Sequence, residues 1–240
     1  MDSIAEARAL VARARRIVAL TGAGISAESG VPTFRGAGGL WRTFRAEDLA
    51  TPGAFERDPK LVWEWYDWRR GIIAGAAPNA GHAALARLES RAAGFMLVTQ
   101  NVDGLHRLAG SRNVIYLHGD IWTIRCTRCG AEREDRRVPL PEIPPRCGCG
   151  GLERPGVVWF GEALPEGALE RASREVAAAE LVLIVGTSAV VWPAAGLGAI
   201  AIRAGVPVVE INPEPTDYSE RVLSIRGKAG EVLPRIVDPA

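Results

Sequence analysis

Short apolar runs alternate along this chain with longer segments in which apolar residues recur at helical spacing. Each run has the length of a buried strand and ends in glycine or polar residues. This alternation of strands and helices predicts an α/β fold built on a Rossmann-like doubly wound parallel sheet. The predicted strands cover residues 17–20, 94–99, 114–117, 155–162, 181–185 and 206–211.

The helical segments differ in character. Residues 3–15 have apolar positions at helical spacing and predict an amphipathic helix, whereas residues 46–59 predict short helical pieces broken by prolines. The segment 60–73 has a high density of aromatic residues, and residues 78–88 predict a helix that begins after a proline turn. We expect 189–193 to be extended.

A glycine-rich turn follows the first predicted strand, at Gly22-Ala23-Gly24-Ile25. Glycine tolerates positive φ angles and lets backbone N–H groups approach a phosphate, so the turn is typical of a dinucleotide site. The absence of a following lysine argues against a phosphate-binding loop of the ATPase kind. Taken alone, such glycines are explained equally well by a tight turn.

Composition places the chain among ordinary soluble proteins. Its 240 residues are 48% apolar and 24% charged, enough for a sizeable core and either one large domain or a large domain with a small companion. A net charge of +1 argues against non-specific nucleic-acid binding and a polybasic membrane anchor. No secretory signal and no spanning apolar run is found, so we expect a cytoplasmic protein without nucleic-acid or membrane partners. The sequence leaves the oligomeric state open, with a monomer favoured.

Four cysteines are spaced like the ligands of a zinc ribbon. Cys126 and Cys129 are followed, after 17 residues, by Cys147 and Cys149. In a reducing compartment these cysteines predict a metal site rather than disulfides, and a site closed by four thiolates is structural. A reduced, metal-free set is the alternative.

Polar residues follow two of the predicted strands. Gln100, Asn101 and Asp103 come after one, and His118 comes after the next. Ligands bind at the carboxyl ends of strands in doubly wound folds, and an imidazole titrates near neutral pH, so these residues are candidates for chemistry. Helix capping and a structural histidine are the alternatives.

Taken together and in order, these motifs resemble those of the sirtuins, the NAD-dependent protein lysine deacylases. The matching strings are GAGIS, GVPTFRG, TQNVDGLH, the His118-Gly119 pair, the four cysteines, the Phe-Gly-Glu segment at 160–162 and the Gly-Thr-Ser segment at 186–188. They span nearly the whole chain. The resemblance implies a Rossmann-like domain, a smaller domain with helices and a zinc ribbon, and NAD as a consumed co-substrate.

The resemblance also implies site residues. His118 would be the catalytic base, with Asn101 and Asp103 beside the nicotinamide, and the products would be free lysine, nicotinamide and O-acyl-ADP-ribose. A flap after the glycine turn would shield the reacting ribose. The implied NAD-binding residues are Gly22, Ala23, Gly24, Ile25, Phe34, Arg35, Trp41, Gln100, Asn101, Val102, Asp103, Gly186, Thr187, Ser188, Asn212, Pro213, Glu214 and Ala229.

Acyl-lysine protein substrates are implied as partners. The class that removes succinyl and malonyl groups has a Tyr-x-x-Arg pair that binds the acyl carboxylate, which Tyr66 and Arg69 match. The alternative is a packing helix with solvated arginines, in a general deacetylase. The substrate peptide would lie as an added strand, against Val157, Phe160, Gly161, Glu162 and Val191.

Two other classes of protein share part of these motifs, and the resemblance also implies a division into two domains. A hydride-transfer oxidoreductase would share the glycine turn but lacks a persuasive acidic residue about 20 positions later. A zinc-ribbon binding module would leave His118 unexplained, and mono-ADP-ribosyl transfer is a further activity open to the same NAD site. We expect an NAD-binding domain over 1–36, 77–122 and 155–240, and a small domain over 37–76 and 123–154.

Overall fold

The computed structural model describes residues 2–33 and 46–238. The predicted NAD contacts Phe34, Arg35 and Trp41 lie outside this part of the chain, as does the predicted flap from residue 34 onward. In chain order, the elements are α1 (Ser3–Arg13), β1 (Arg16–Thr21), a 3-10 helix (Ala23–Ser29), α2 (Ala46–Leu49), α3 (Pro52–Arg57), α4 (Pro59–Ala74), α5 (Ala80–Arg91), β2 (Gly94–Thr99), α6 (Leu105–Leu108), β3 (Val114–Tyr116), β4 (Gly119–Cys126), β5 (Glu132–Glu134), β6 (Glu153–Val157), α7 (Ala168–Ala177), β7 (Leu181–Val185), α8 (Gly196–Arg203), β8 (Val208–Asn212), β9 (Leu223–Arg226) and α9 (Ala229–Val237).

The larger sheet has six parallel strands in the order β3-β2-β1-β7-β8-β9. Strands β2 and β3 extend the sheet to one side of β1, and β7, β8 and β9 extend it to the other. The strand order therefore reverses between β1 and β7. Doubly wound folds bind ligands at such a reversal, in a crevice outside the carboxyl ends of the strands.

The larger sheet is buried on both faces, as its apolar strands require. Successive side chains of β1 alternate between two cores: Ile17 and Ala19 pack on one side, while Val18 and Leu20 pack on the other. Helices α1, α5 and α9 cover the first face, and α7 and α8 cover the second. The α/β class predicted from the sequence is confirmed.

A smaller antiparallel sheet, β5-β4-β6, packs with α3 and α4 around a third core. Helix α4 begins where the Asp58 carboxylate accepts the Leu61 N–H at 2.9 Å and Pro59 occupies the first turn. Its Trp63, Trp65 and Tyr66 are buried in this core. The division into the two predicted domains stays a proposal.

Two extended segments were predicted wrongly. Strand β6 ends at Val157, so residues 158–162 leave the sheet. A turn forms there because Gly161 has a φ of 85° and the Glu162 carboxylate accepts the Trp159 N–H at 2.8 Å. Residues 189–193 likewise form bends and turns, with Ala189 at a φ of 57°.

Across residues 2–33 and 46–238, no helix has both the length and the apolar character needed to cross a membrane.

A buried ion cluster joins α4 to the smaller sheet. The side chain of Asp135 is almost fully buried and lies 2.6 Å from Arg133 and 3.7 Å from the fully buried Arg70. Arg133 also bridges to Glu153 on β6 at 2.6 Å. Hydrogen bonds from Arg137 and Arg133 hold the pKa of the Asp135 carboxyl well below its usual range.

We predict that Asp135→Asn lowers the free energy of unfolding at pH 7 by about 3 kcal/mol, because it leaves Arg70 buried without its anionic partner. The folded-state pKa of Asp135 lies below the unfolded value, so its stabilisation is present above about pH 4 and is lost as the pH falls further. The difference between wild type and variant in urea unfolding should therefore shrink in acid. Glu134→Gln, at an exposed ion pair with Arg136, is the control and should change little; equal effects of the two variants would contradict this account.

Candidate active site and metal centre

The loops after β1 and β7 touch at the reversal of the strand order. A Cβ on Gly24 would lie 2.7 Å from Gly186 Cα, and one on Gly22 would lie 2.8 Å from Gly186 O. Gly186 itself has a φ of 59°, and its Cβ would meet Ile25 N at 2.4 Å. Only glycine fits these positions, because real Cβ contacts do not come so close.

The glycine amides do not point to a ligand in the way that the sequence suggested. Gly22 N–H donates to Val185 O at 3.1 Å, and Gly24 N–H donates to Gly186 O at 2.8 Å. Both groups are thus used to join the two loops. The glycines shape the crevice by close backbone contact, while direct phosphate binding by these two amides is not supported.

Three predicted NAD contacts from different strand ends are hydrogen-bonded to one another. Gln100 Nε2 donates to Thr187 Oγ1 at 3.1 Å, and Asn212 Nδ2 donates to Thr187 O at 3.3 Å. Residues at the carboxyl ends of β2, β7 and β8 therefore meet at one edge of the sheet, as such ends of parallel strands do. Pro213 and Glu214 follow Asn212 directly, and Ala229 begins α9.

Asn101 and Asp103 lie beneath this edge and are 6% and 4% exposed. Asn101 Nδ2 donates to Gly22 O at 3.1 Å and approaches Ser26 Oγ at 3.2 Å. Ser26 Oγ donates to Asp103 Oδ2 at 2.7 Å. Burial raises the pKa of the Asp103 carboxyl, against the hydrogen bonds from Leu105 N–H and Ser26 that lower it.

His118 is half-buried and oriented by the backbone. Its Nδ1 lies 3.1 Å from Gln100 O, and since a carbonyl oxygen only accepts, Nδ1 carries the proton. The neutral ring therefore has its lone pair on Nε2. Burial lowers the pKa of His118, which keeps the ring neutral at pH 7 and able to accept a proton there.

Tyr66 and Arg69 share the buried face of α4, with 2% and 5% exposure. The Arg69 guanidinium lies 4.9 Å from the Trp65 ring centroid and 5.9 Å from that of Tyr66. Tyr66 Oη accepts the Trp159 Nε1–H at 2.9 Å, and burial raises the pKa of the phenol to about 12. The alternative of solvated arginines on this helix is wrong, because Arg69 and Arg70 are both buried.

The four cysteines form one cluster. Their sulfur atoms all lie within 4.8 Å of one another, with Cys126 Sγ 3.5 Å from Cys149 Sγ and Cys129 Sγ 3.7 Å from Cys147 Sγ. Zinc held at about 2.3 Å by four thiolates places the sulfurs about 3.8 Å apart. The N–H groups of Arg128 and Cys129 face Cys126 Sγ at 3.4 and 3.5 Å, an arrangement that suits a thiolate. The set fits a structural zinc ion.

The predicted peptide-binding residues are in mixed surroundings. Phe160 is 47% exposed, whereas Val157 is buried and pairs with Gly119. The Glu162 carboxylate is bound by the buried Arg154 at 2.5 Å, so its contacts are within the fold. Val191 lies in the irregular segment that follows β7.

Sequence reasoning missed three hydroxyl residues of the site, Thr21, Ser26 and Thr99. All three are fully buried. Ser26 holds Asp103, while Thr21 and Thr99 are hydrogen-bonded to each other at 2.9 Å. The sequence placed these residues at strand ends or in the glycine turn. However, threonine is also common in apolar strands for packing alone, so the sequence did not indicate that their hydroxyls make hydrogen bonds in the site.

Comparison with known proteins agrees with this geometry. The Sir2 family model matches residues 22–193. The chain is 56% identical to an NAD-dependent protein deacylase of Aquifex aeolicus, over 92% of this chain and 94% of the relative. It is 52% identical to an NAD-dependent protein deacylase of Thermus thermophilus, over 100% and 96% of the two chains. A solved Sir2 homologue in complex with NAD shares 49% identity, with a TM-score of 0.91 over 97% of this chain and 92% of that one.

The fold and the polar residues at the strand ends thus define an α/β enzyme with a nucleotide-binding crevice and a zinc ribbon. The chain belongs to the Sir2 family, and its enzyme class is that of the NAD-dependent protein deacylases. NAD is its co-substrate and the four-cysteine cluster is its zinc site. The strand ends that carry Gln100, Thr187 and Asn212 meet at the reversal of the strand order, where doubly wound folds bind dinucleotides.

We predict that Cys147→Ser reduces the zinc content, measured by mass spectrometry of the purified protein, from about one ion per chain to a small fraction. The protein should also melt at a lower temperature, because metal binding contributes to folding. Thr127→Ser, between the first two cysteines, keeps the hydroxyl that bonds Leu152 O and should retain full zinc. A Cys147→Ser protein with unchanged zinc and melting temperature would contradict the assignment.

Proposed function

We propose that this deacylase removes succinyl and malonyl groups from lysine side chains, and acetyl groups as well, with His118 as the general base. The observation that carries the proposal is the buried pair Tyr66 and Arg69 on α4. A phenol and a guanidinium three residues apart share one face of the helix and together offer a hydroxyl and a bidentate fork, so the pair favours an acyl group that ends in a carboxylate.

The chemistry of the pair supports this choice. Burial lowers the pKa of Arg69, and attraction to Tyr66 and Asp103 opposes that effect, but a guanidinium stays charged at neutral pH. Tyr66 stays protonated because of its raised pKa, and its oxygen already accepts from Trp159. The phenol proton therefore remains to donate to a carboxylate oxygen. Together the two side chains offer charge-assisted hydrogen bonds.

Burial lowers the pKa of Arg69, whereas attraction to the Asp103 carboxylate raises it. This attraction also supports an acyl pocket beside the reaction centre. NAD supplies the ribose carbon that receives the acyl oxygen and the nicotinamide that leaves. Asn101 and Asp103, fixed by Gly22 O and Ser26, would orient the nicotinamide end. His118 Nε2 would take a proton from a ribose hydroxyl, since Nδ1–H is held by Gln100 O.

The peptide substrate would bind as an added strand between residues 157–162 and 190–192, with Val157, Phe160, Gly161, Glu162 and Val191 as the proposed contacts. Exposed apolar side chains on both segments support this surface: Phe160, Val190 and Trp192 are 47%, 40% and 74% exposed. Main-chain pairing asks little of the peptide sequence. We therefore propose diverse acyl-lysine proteins as substrates, and a monomeric cytoplasmic enzyme.

We predict that Arg69→Met lowers kcat/KM for a succinyl-lysine peptide more than for the acetyl-lysine form of the same peptide. The difference corresponds to a loss of about 2 to 4 kcal/mol of transition-state stabilisation. The reason is that the succinyl carboxylate loses its cationic partner on transfer into a buried pocket. The measurement is nicotinamide release with both peptides at saturating NAD, for wild type and variant.

Two matched variants sharpen the test. Arg69→Lys keeps the charge but not the two-pronged donor geometry and should fall between wild type and Arg69→Met. Tyr66→Phe should reduce succinyl activity more than acetyl activity. If wild type treats both peptides alike and Arg69→Met changes neither rate, the enzyme is a general deacetylase and the pair serves packing.

We predict that His118→Asn reduces kcat by about 10²-fold or more, the usual scale of general-base catalysis. In the wild type, kcat/KM should fall in acid, and the fall should lie below the ordinary histidine pKa of about 6.5 because burial lowers the pKa of His118. A variant with near-normal kcat would exclude His118 as the base, and a wild-type fall centred above about pH 6.5 would contradict its lowered pKa.

A further inference from the structure

The peptide unit between Gln100 and Asn101 is held at both of its polar ends. Its carbonyl oxygen accepts the Nδ1–H of His118 at 3.1 Å, and its N–H donates to Thr99 Oγ1 at 3.0 Å. The orientation of this one amide plane thus fixes the imidazole. A rotation of the plane would move the acceptor of His118 and the N–H together, because the peptide is rigid.

The Thr99 hydroxyl is itself fixed by a chain of buried groups. Thr21 Oγ1 donates to Thr99 Oγ1 at 2.9 Å, and His106 Nε2 lies 3.0 Å from Thr21 Oγ1. Burial lowers the pKa of His106 to about 3, so the ring is neutral at pH 7. Because the Thr21 proton is used toward Thr99, His106 Nε2 must donate to Thr21. The donors therefore run from His106 through Thr21 to Thr99, whose oxygen also accepts the Asn101 N–H.

Packing alone does not account for these hydroxyls. Thr21 and Thr99 are paired across β1 and β2 and are both 0% exposed, so valine would have the same shape and the same preference for a strand. A buried hydroxyl is costly unless its hydrogen bonds are made. Here the bonds end on the amide that holds His118.

We propose that Thr99, supported by Thr21 and His106, is a positioning residue for the general base: it fixes the 100–101 amide so that Gln100 O holds His118 as the Nδ1–H tautomer with Nε2 free. The proposal rests on the proposed role of His118. It names residues that touch neither the acyl group nor the base.

The test compares Thr99→Val, which keeps the shape, with Thr99→Ser, which keeps the hydroxyl. The protein has three histidines, so ¹⁵N-histidine NMR reports the tautomer of each ring in the absence of substrate. His82 is the internal reference, because its Nδ1 accepts the Asn79 N–H at 3.3 Å and Nε2 must carry the proton. Wild type and Thr99→Ser should show His118 protonated at Nδ1, and Thr99→Val should show a mixture of tautomers.

In steady-state kinetics, Thr99→Val should lower kcat about 10-fold or more, with the KM for NAD within about twofold, because alignment of the base rather than binding is lost. Thr99→Ser should stay near wild type. Thr123→Val, at a threonine on β4 outside this chain of hydroxyls, should leave both the tautomer and the rate unchanged. If Thr99→Val does not fold, Thr21→Val is read out in the same way.

The outcomes separate this proposal from the one on which it rests. A Thr99→Val protein that keeps the pure Nδ1–H tautomer and its kcat overturns the positioning role, whatever the base is. An active His118→Asn enzyme overturns the proposed base itself. The tautomer of His118 in wild type and in the Thr99 variants would still show whether Thr99 fixes the 100–101 amide. A loss of kcat that Thr99→Ser shares equally would indicate a packing defect and would also count against the hydroxyl.

Discussion

The close contact between the loops after β1 and β7 is the constraint on which the site depends. Gly22, Gly24 and Gly186 meet at distances that exclude any Cβ, and hydrogen bonds from the two glycine amides of the first loop join the backbones. The strand order reverses at this contact. Because the loops are joined there, the residues that follow β2 and β8 are set at fixed positions around one crevice.

Strand ends could be predicted from sequence because burial on both faces gives continuous apolar runs that stop at polar residues. The strand at 17–20 and the position of His118 after β3 were read in this way. The cysteine spacing was equally informative, since metal geometry restricts it. The strand assigned to 155–162 was predicted too long: β6 ends at Val157 because Glu162 turns back to bind Trp159 N–H and Arg154. Apolar periodicity does not encode this contact.

Buried polar groups were harder to predict than the fold. Helical periodicity alone favoured solvated side chains for Arg69 and Arg70. However, α4 is enclosed by β4, β6 and the segment around Leu140, and both arginines are buried in consequence. The bond between His118 and Gln100 O depends on the long-range pairing of β2 with β3, and the hydroxyl pair behind it depends on that of β1 with β2. Such pairs cannot be predicted from local sequence, because the two residues lie far apart in the chain. The candidate site residues came instead from the resemblance to a family.

The measurement that tests the central claim most directly is product analysis by mass spectrometry after the enzyme has acted on a succinyl-lysine peptide with NAD. The account predicts nicotinamide, free peptide and ADP-ribose that carries the succinyl group, in equal amounts, with no products when NAD is left out. Free succinate formed without consumption of NAD would contradict it, because the acyl group would then have passed to water without the ribose.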